Sequence, residues 1–498
     1  MSVLMINPNR TRPHVAPVGL EYVCNSLLRE KIEFDLVDFN FEPEKVVYRK
    51  LQENNVDIIG ITVRNLDTGF LVKVELVQPT IRRLVQRIKN TKDCQVVLGG
   101  SGYSMLPREI LEYSGADFGV FGYGEEVMPR LVRALREGGD LSQIDNLIWR
   151  KNGEFQVNPT SIGDYENLPA RRRNIIRNLS YYRVYNIGSL GVKRGCYKQC
   201  GYCCEPNFVG RKVVSRNIAG VVEELKELKS MGIDHVYFCE SEFNIGNQEH
   251  FFKLCEQLIK SKIGITWCTS MHPDAKSVSQ ELMYRMKEAG CHEILISSDS
   301  GSDDILADME KEHTAEDTII CSEYMRKANI RQFHSCVIGW PGESFKTLEQ
   351  TVDLLKRCQP DAVAIFPGAR IYPNTKLARI AKEEGIIKTD ADLINPVFYR
   401  PERMKQELLP FIRRKTRGLP HFLYPNKAID FLNLFQRNAY LGGVKPVGFT
   451  GFVDFMNNIS RPDMLKLLAK TTLQYTLPFS RRFIPRAEGE ENWGIRPD

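Results

Sequence analysis

Three cysteines in one short, glycine-containing segment could hold a soft metal centre. Cys196, Cys200 and Cys203 have the spacing CxxxCxxC. Thiolates select iron–sulfur clusters or zinc, and so short a loop lets three sulfur atoms converge. A [4Fe–4S] cluster has four irons, so three thiolates leave one iron open to a non-protein ligand, which suits a catalytic cluster. The alternatives are a zinc knuckle and chance clustering among the 13 cysteines of the chain.

Two carboxylates could meet a cationic ligand elsewhere in the chain. Glu240 and Glu242 follow an apolar run at 236–239 that predicts a strand. Carboxylates are costly to bury at the end of such a strand unless a cation meets them. Glu240 is therefore the first candidate for a binding residue and Glu242 the second, while a surface turn is the alternative.

Strands that alternate with helices are predicted to position these groups, so the fold class is α/β. In residues 1–145 the apolar runs predict a Rossmann-like, doubly wound parallel sheet. Ligands of such sheets bind beyond the carboxyl ends of the strands. The candidate binding residues there are Asn7, Asn65, Gly99, Gly100 and Ser101.

Three further regions follow this predicted domain. Residues 146–188 are a connector, with a hairpin near 148–157 and an arginine run at 171–173 that we expect to be solvated. Residues 189–384 predict a partial (βα)6 barrel with its site at the carboxyl ends of the strands. Residues 385–498 are basic and aromatic-rich, with helical stretches at 427–437 and 464–473, and predict a mainly helical subdomain that caps the barrel.

Composition excludes several classes of protein. The 498 residues are 42% hydrophobic and 26% charged, which is typical of globular domains. No apolar run of about 18 residues is present, so we expect no transmembrane span. The N-terminus lacks the features of a secretory signal. Cysteines outside the cluster, such as Cys239 and Cys268, have the context of free buried thiols, which indicates a reducing compartment, the cytoplasm.

Positive charge is concentrated near the C-terminus. Residues 391–498 contain 17 Lys and Arg against 10 Asp and Glu, a surplus larger than the net charge of +6 of the whole chain. This surplus suits an anionic small substrate, an acidic partner or anionic lipid. No nucleic-acid-binding motif accompanies it, so we expect no nucleic acid partner.

The cysteine segment resembles the cluster motif of the radical S-adenosylmethionine (SAM) enzymes, including Arg194-Gly195 before the first cysteine and Tyr202 before the third. The resemblance implies that the three cysteines hold a [4Fe–4S] cluster whose open iron is chelated by SAM, and that Glu240 or Glu242 approaches the SAM amino group. Cys204 is then a packing residue.

Further segments resemble the same family, in the same order along the chain. Ser298 and Asp299 fall in a turn that resembles its ribose-contacting turn, with Asp in place of Glu. Gly339 and Pro341 belong to a Gly-x-Pro-Gly-Glu segment, and Tyr372 to a Tyr-Pro-x-Thr turn. The joint occurrence of these landmarks argues against a zinc knuckle and against chance.

Residues 1–145 resemble the cobalamin-binding domain that precedes many radical SAM cores. The similar features are Pro17-Val18-Gly19-Leu20, the glycines after the fourth predicted strand, and Gly122-Tyr123-Gly124-Glu125-Glu126. The DxHxxG motif of that domain is absent, and His14 is its only histidine. The resemblance therefore implies either cobalamin with an unligated lower face or a related fold that only covers the active site.

Together these features predict a radical SAM enzyme that cleaves SAM reductively and modifies an unactivated position of a small, anionic substrate. The resemblance favours methyl transfer from methylcobalamin, with SAM also remethylating the cobalamin and a flavodoxin or ferredoxin supplying electrons. Within the class, the alternatives are a cobalamin-independent rearrangement, oxidative cyclisation or transfer of a 3-amino-3-carboxypropyl group. In other classes, they are a non-catalytic metal-binding scaffold and a cobalamin- or nucleotide-sensing protein.

Overall fold

A computed structural model describes residues 2–10, 14–53, 55–69, 71, 74–168, 170–419, 422–423, 459–476 and 494–495. The helix predicted at 427–437 and the aromatic residues Tyr424, Phe449, Phe452 and Phe455 lie outside these residues. No described helix has both the length and the apolar character needed to cross a membrane.

The first sheet is built on five parallel strands. In chain order these are β1 (Ser2–Asn7), β2 (Phe34–Asp38), β3 (Val56–Thr62), β4 (Gln95–Gly99) and β5 (Phe118–Val120). Their spatial order is β2-β1-β3-β4-β5, so the direction of winding reverses between β1 and β3. A reversal of this kind leaves a crevice at the carboxyl ends, where ligands of doubly wound sheets bind.

The connector extends this sheet. The predicted hairpin forms β6 (Leu147–Lys151) and β7 (Glu154–Val157), and β6 pairs antiparallel with β5. The helices of this half are α1 (Val18–Arg29), α2 (Lys45–Glu53), α3 (Gln78–Thr91), α4 (Ser101–Met105), α5 (Pro107–Ser114), α6 (Val127–Glu137) and α7 (Asn178–Tyr185), with a 3-10 turn at Leu141–Gln143.

Side chains on both faces of the first sheet are buried, which confirms the doubly wound arrangement. Val3 and Met5 pack with α1 and α6, whereas Leu4 and Ile6 pack with α2, α3 and α5. Alternate residues of a strand point to opposite faces, so a run of consecutive apolar residues is what a sheet covered on both sides requires.

The second sheet has its main strands in sequential order. Among the described residues these are β8 (Gly188–Leu190), β11 (His235–Phe238), β12 (Thr266–Met271), β13 (Cys291–Ser297), β14 (Arg331–Ile338) and β15 (Ala362–Pro367), all parallel, and β18 (Phe422–Leu423) extends the edge. Six parallel strands in sequential order are the topology of the predicted partial (βα)6 barrel.

Short strands and helices complete the described chain. The short strands are β9 (Lys193–Arg194), β10 (Val214–Ser215), β16 (Ala369–Arg370), β17 (Phe398–Tyr399) and β19 (Gly494–Ile495), the last pairing antiparallel with β2. The helices are α8 (Glu205–Val209), α9 (Ile218–Ser230), α10 (Gln248–Ser261), α11 (Gln280–Glu288), α12 (Asp303–Asp308), α13 (Ala315–Lys327), α14 (Phe345–Cys358), α15 (Lys376–Glu383), α16 (Leu408–Lys415) and α17 (Arg461–Thr476), with 3-10 turns at Asp390–Ile394 and Glu402–Met404. Helix α17 covers the stretch predicted at 464–473.

Two expectations about individual side chains are wrong. Arg171 and Arg173 are buried rather than solvated, because Glu21 and Glu224 lie beside them as counter-charges. Cys239 is exposed rather than buried, because it follows the last residue of β11 and faces a cavity instead of the core.

Candidate functional site

The cysteine loop lies between β9 and α8, at the carboxyl-end side of the second sheet. Gly195 has a φ of +86°, and a Cβ there would clash with the carbonyl oxygen of Lys212, so only glycine fits this position. The Cys196 N–H donates to Gly210 (2.9 Å) and the Gly201 N–H to Met309 (2.7 Å). Backbone hydrogen bonds therefore hold the loop at both ends.

The three thiols of the loop are removed from solvent to different extents. Cys196 is buried, Cys200 and Cys203 are half-buried, and desolvation raises the pKa of all three thiols. A tetrahedral zinc site would hold its sulfur atoms about 3.8 Å apart. Within the described chain no three His, Cys, Asp or Glu side chains are grouped closely enough to share one metal ion.

A buried charged group lies directly beside one cluster thiol. The Lys311 ammonium donates to Cys200 Sγ (3.6 Å) and pairs with Asp299 Oδ2 (2.7 Å). The Tyr202 hydroxyl donates to the same Asp299 oxygen (2.8 Å) and accepts from Lys311 (3.3 Å). Asp299 adopts a left-handed conformation (φ +53°) at the end of β13. The predicted residues Tyr202 and Asp299 therefore meet at the cysteine loop.

A cavity of about 470 Å³ lies between the carboxyl ends of the two sheets. From the first sheet it is lined by the ends of β3, β4 and β5, including the predicted Gly99, Gly100 and Ser101. From the second sheet it is lined by 193–195, immediately before the first cysteine, and by 239–241 after β11. The cavity thus adjoins the strand that leads into the cysteine loop.

Of the two predicted carboxylates, Glu240 is buried and Glu242 is half-buried. Glu240 lines the cavity; its Oε1 accepts from Thr269 (2.9 Å), while its buried Oε2 has no hydrogen-bond partner among the described residues. Desolvation raises the pKa of Glu240 to about 7, opposed by the charge of Lys193. Glu242 accepts from Ser297 (3.0 Å), and desolvation raises its pKa to about 7 as well, opposed by Lys311.

Other predicted residues lie away from the cavity lining. Asn7 donates to the Tyr181 hydroxyl (3.2 Å), and the backbone of Asn65 packs against Gly102. Ser298 is buried and hydrogen-bonds His334 (2.8 Å).

The two later landmarks also have local roles. The Gly339 N–H donates to Glu343 and fixes the turn that contains Pro341. Tyr372 stacks beneath the Arg370 guanidinium (5.1 Å) and lies close enough to Cys203 to be influenced by its charge. Tyr372 is thus placed near the cysteine loop, and Gly339 at the end of β14.

The cavity wall contributed by the first sheet includes a glycine and an arginine of particular geometry. Gly100 has a φ of +100°, and a Cβ there would lie 2.7 Å from the Val63 carbonyl oxygen, so only glycine fits this position beside the cavity. Arg64 also lines the cavity, and its buried Nη1 has no hydrogen-bond partner among the described residues. An amide arm or the phosphate of cobalamin would accept from this Arg64 N–H, so the lining residues are compatible with that cofactor. No histidine is among the described residues that line the cavity.

Comparison with known families agrees with this geometry. Residues 191–355 match the Radical SAM superfamily, and residues 10–132 match the B12 binding domain. The chain contains a radical SAM domain preceded by a B12-binding domain. Its radical SAM domain contains the cysteine loop, and its B12-binding domain contributes the glycine-lined wall of the cavity.

Individual proteins resemble the chain over most of its length. Tryptophan 2-C-methyltransferase of Streptomyces laurentii is 24% identical over 77% of this chain and 75% of its own. An uncharacterized methyltransferase of Pyrococcus horikoshii is 25% identical over 85% of this chain and 91% of its own. The radical SAM methyltransferase TsrM of Kitasatospora setae, solved with cobalamin and a [4Fe–4S] cluster, superposes with a TM-score of 0.82 at 22% identity, covering 95% of this chain and 100% of that one. That likeness establishes the shared fold.

The sequence did not assign two residues that the structure brings to the site. Lys193 lines the cavity, and Lys311 contacts Cys200. A lysine directly before the Arg-Gly-Cys of the cluster motif was a visible signal for Lys193. The contact of Lys311 spans 111 residues of sequence, so only the fold reveals it.

Proposed function

We propose that the protein is a cobalamin-dependent radical SAM methyltransferase that acts on a small molecule. The observation that carries this proposal is the single cavity that joins the glycine loops of the B12-binding domain to Glu240 and the strand leading into the cysteine loop. Two relatives over most of the chain are named methyltransferases.

Each part of the chain has a role in this reaction. Cys196, Cys200 and Cys203 would hold the cluster, and Glu240 would meet the SAM ammonium. Gly99, Gly100 and Ser101 would let the corrin approach the backbone. The bound cofactors supply reductive cleavage of SAM and a carrier for the methyl group. The walls of the cavity, including Leu98, Val120 and Phe208, exclude water from the reacting groups.

The partners follow from the same assignment. We propose a reducing cytoplasm, since none of the 13 cysteines forms a disulfide, and a flavodoxin or ferredoxin as electron donor. Nucleic acid has no place in this proposal. The acceptor is a small molecule with an anionic group, and L-tryptophan is the first to test because one relative is named for its methylation.

The test is anaerobic reconstitution with iron and sulfide, followed by mass spectrometry of the SAM products with and without methylcobalamin and L-tryptophan. Formation of S-adenosylhomocysteine only when cobalamin is present supports the proposal. Consumption of SAM to 5′-deoxyadenosine or methylthioadenosine regardless of cobalamin contradicts it and indicates a rearrangement, an oxidation or aminocarboxypropyl transfer.

A set of cysteine variants makes the test specific. C196A, C200A and C203A should each lose the cluster absorbance and SAM turnover, since three thiolates are the minimum for a cluster with one open iron. C204A is the matched control, because Cys204 is a buried cysteine in the same loop but outside the motif. Loss of turnover in C204A alone, or retention in the other three, would contradict the assignment.

A further inference from the structure

One short helix, α8, links the cysteine loop to the wall of the cavity. It begins directly after Cys204, and the Asn207 N–H donates to the Cys204 carbonyl oxygen (3.1 Å). At its other end, the Gly210 carbonyl oxygen accepts from the Cys196 N–H (2.9 Å). Both ends of α8 are therefore held by the segment that contains the three cysteines of the motif.

The same helix forms part of the cavity wall. Phe208 and Val209, its last two residues, line the cavity. The backbone of α8 also packs against the B12-binding domain, because a Cβ at Gly122 would lie only 2.8 Å from the Phe208 carbonyl oxygen. Gly122 has a φ of +70° and lines the cavity as well. Helix α8 thus touches both the cysteine loop and the domain on the opposite side of the cavity.

The sequence of α8 cannot keep this helix folded by itself. The helix has five residues, whereas an isolated helix in water needs about 12 or more. Pro206 fixes the backbone of the first turn, and pairing of Arg194 with Val214 closes the loop that carries both the cysteines and α8. The order of α8 therefore depends on the cysteine loop at its two ends and on the cavity wall beside it.

We propose that α8 couples the two cofactor sites, so that the protein binds cobalamin more tightly when the cysteine loop holds a cluster. A loop whose three thiolates are held by one cluster loses its freedom, as chain segments do when a metal fixes them. Both ends of α8 are then fixed, and α8 completes the wall of the cavity while the two sheets stay in place. Because binding free energies are linked, bound cobalamin in turn favours the loop conformation that holds the cluster.

This inference deepens the proposed function, on which it rests for the identity of the two cofactors. It assigns a regulatory role to a helix that lies outside the cysteine motif. The consequence is that protein without a cluster binds cobalamin weakly, and protein with a cluster retains it.

The first arm of the test compares the reconstituted protein with the chelator-treated apoprotein. Anaerobic equilibrium dialysis against hydroxocobalamin should show about tenfold tighter binding by the reconstituted protein. Hydrogen–deuterium exchange of the two forms without cobalamin locates the effect. Residues 205–213 should exchange more slowly in the reconstituted protein, whereas α3, which lies outside the cavity lining, should exchange equally in both.

The second arm loosens the helix itself. Pro206 is buried but does not line the cavity, and P206G frees the backbone of the first turn without removing a thiol. Iron and sulfide contents should show a complete cluster in P206G, while its affinity for cobalamin should fall close to that of the apoprotein. N207A is the matched control, because Asn207 is an exposed residue of the same helix and alanine favours the helical backbone. It should keep the tenfold difference.

The proposal is overturned if cluster loading changes neither the affinity for cobalamin nor the exchange of residues 205–213. It is also overturned if P206G weakens cobalamin binding by the same factor in both forms, since α8 would then be a fixed wall. These outcomes are separate from the fate of the proposed function. Cobalamin-dependent methyl transfer with equal cobalamin affinity in both forms removes the coupling but not the methyltransferase, whereas coupled binding without cobalamin-dependent turnover does the reverse.

Discussion

Single buried charges decide the electrostatic environment of the cysteine loop. Lys311 has 2% of its side chain exposed and donates to Cys200 Sγ, while Asp299 partly balances its charge from the other side. Hydrogen bonds and charges around the sulfur ligands are among the factors that set the potential of an iron–sulfur cluster. Because the Lys311 cation lies nearer to the sulfur than its counter-ion Asp299, it favours the reduced state of the cluster, which carries more negative charge.

Replacement of Lys311 by Met should therefore make the midpoint potential of the reconstituted cluster more negative. The Coulomb energy of one charge at this distance in a protein, reduced by the opposing charge of Asp299, corresponds to a shift of roughly 50–100 mV. The shift can be measured by a redox titration followed by electron paramagnetic resonance. K311R should keep a potential near that of the wild type, and D299N should shift it in the positive direction.

Y202F is the matched control for this prediction, because it removes a hydrogen bond to Asp299 without changing any charge. Iron and sulfide contents confirm that each variant holds a complete cluster. Equal potentials in K311M, D299N and the wild type would show that the contact with Cys200 has no electrostatic effect.

At the scale of elements, the turn between β14 and α14 depends on one buried carboxylate. Glu343 is 7% exposed and accepts from the N–H groups of Gly339 and Trp340. Ser344 then caps α14 by accepting from the Thr347 N–H (3.3 Å). Desolvation raises the pKa of Glu343 to about 7, although the two backbone N–H groups oppose it.

This raised pKa predicts a pH-dependent cost to stability. Between pH 4.5 and about 7 the carboxyl ionises in the unfolded chain but keeps its proton in the folded one, so the free energy of unfolding falls as pH rises. Relative to E343Q, the wild type should lose up to about 3 kcal/mol over this range. Urea unfolding of the apoprotein at several pH values measures the difference.

E349Q is the control for Glu343, because it removes an exposed carboxylate from α14, the helix that follows the turn. Its unfolding free energy should stay parallel to that of the wild type over this range of pH. A constant difference between the wild type and E343Q would show that Glu343 is ionised in the folded protein at every pH tested.

The positions of strands could be predicted from the sequence far better than the side-chain contacts around them. The apolar run at 236–239 placed β11 within one residue, because a buried strand has few sequence alternatives. Burial of Arg173 could not be predicted, since a run of arginines is usually solvated and its partner Glu21 lies 152 residues away. The pairing of β19 with β2 likewise depends on a contact between the two ends of the chain.

The residues of the candidate site could also be predicted only in part. The cysteine spacing indicated the ligands of a cluster, and the glycines after β4 indicated a binding loop. Whether a predicted residue faces the cavity depends on the direction of its side chain at the end of a strand. Glu240 lines the cavity, whereas Ser298 hydrogen-bonds His334 instead. Such directions follow from packing rather than from motif.

At the scale of the whole molecule, the two sheets are joined by shared core and by buried ion pairs. One apolar cluster includes Leu98 of β4 together with Trp340 of the radical SAM domain and Ile371, which follows β16. Arg370 reaches across to Asp67 (3.1 Å), with both side chains at most 5% exposed. The cavity therefore has walls that are fixed relative to each other.

The Arg194–Glu125 ion pair joins the two sheets directly beside the cysteine loop. Arg194 precedes Gly195 of the cysteine loop, and its guanidinium stacks on Tyr123 (3.7 Å) and Tyr165 (3.9 Å) while pairing with Glu125 of the B12-binding domain. The charge of Arg194 lowers the pKa of Glu125 against the effect of desolvation. The cysteine loop is thus tied directly to the rim of the cavity.

Replacing one residue of this pair should lower the free energy of unfolding more than replacing both. E125L or R194M leaves one buried charge without its partner and should each destabilise the apoprotein by about 3–5 kcal/mol, whereas the double variant E125L/R194M should be less destabilised than either one. Urea unfolding followed by circular dichroism gives the three values. If the two single effects simply add, the charges do not interact, and the position of the cysteine loop must depend on the aromatic stacking and the shared core instead.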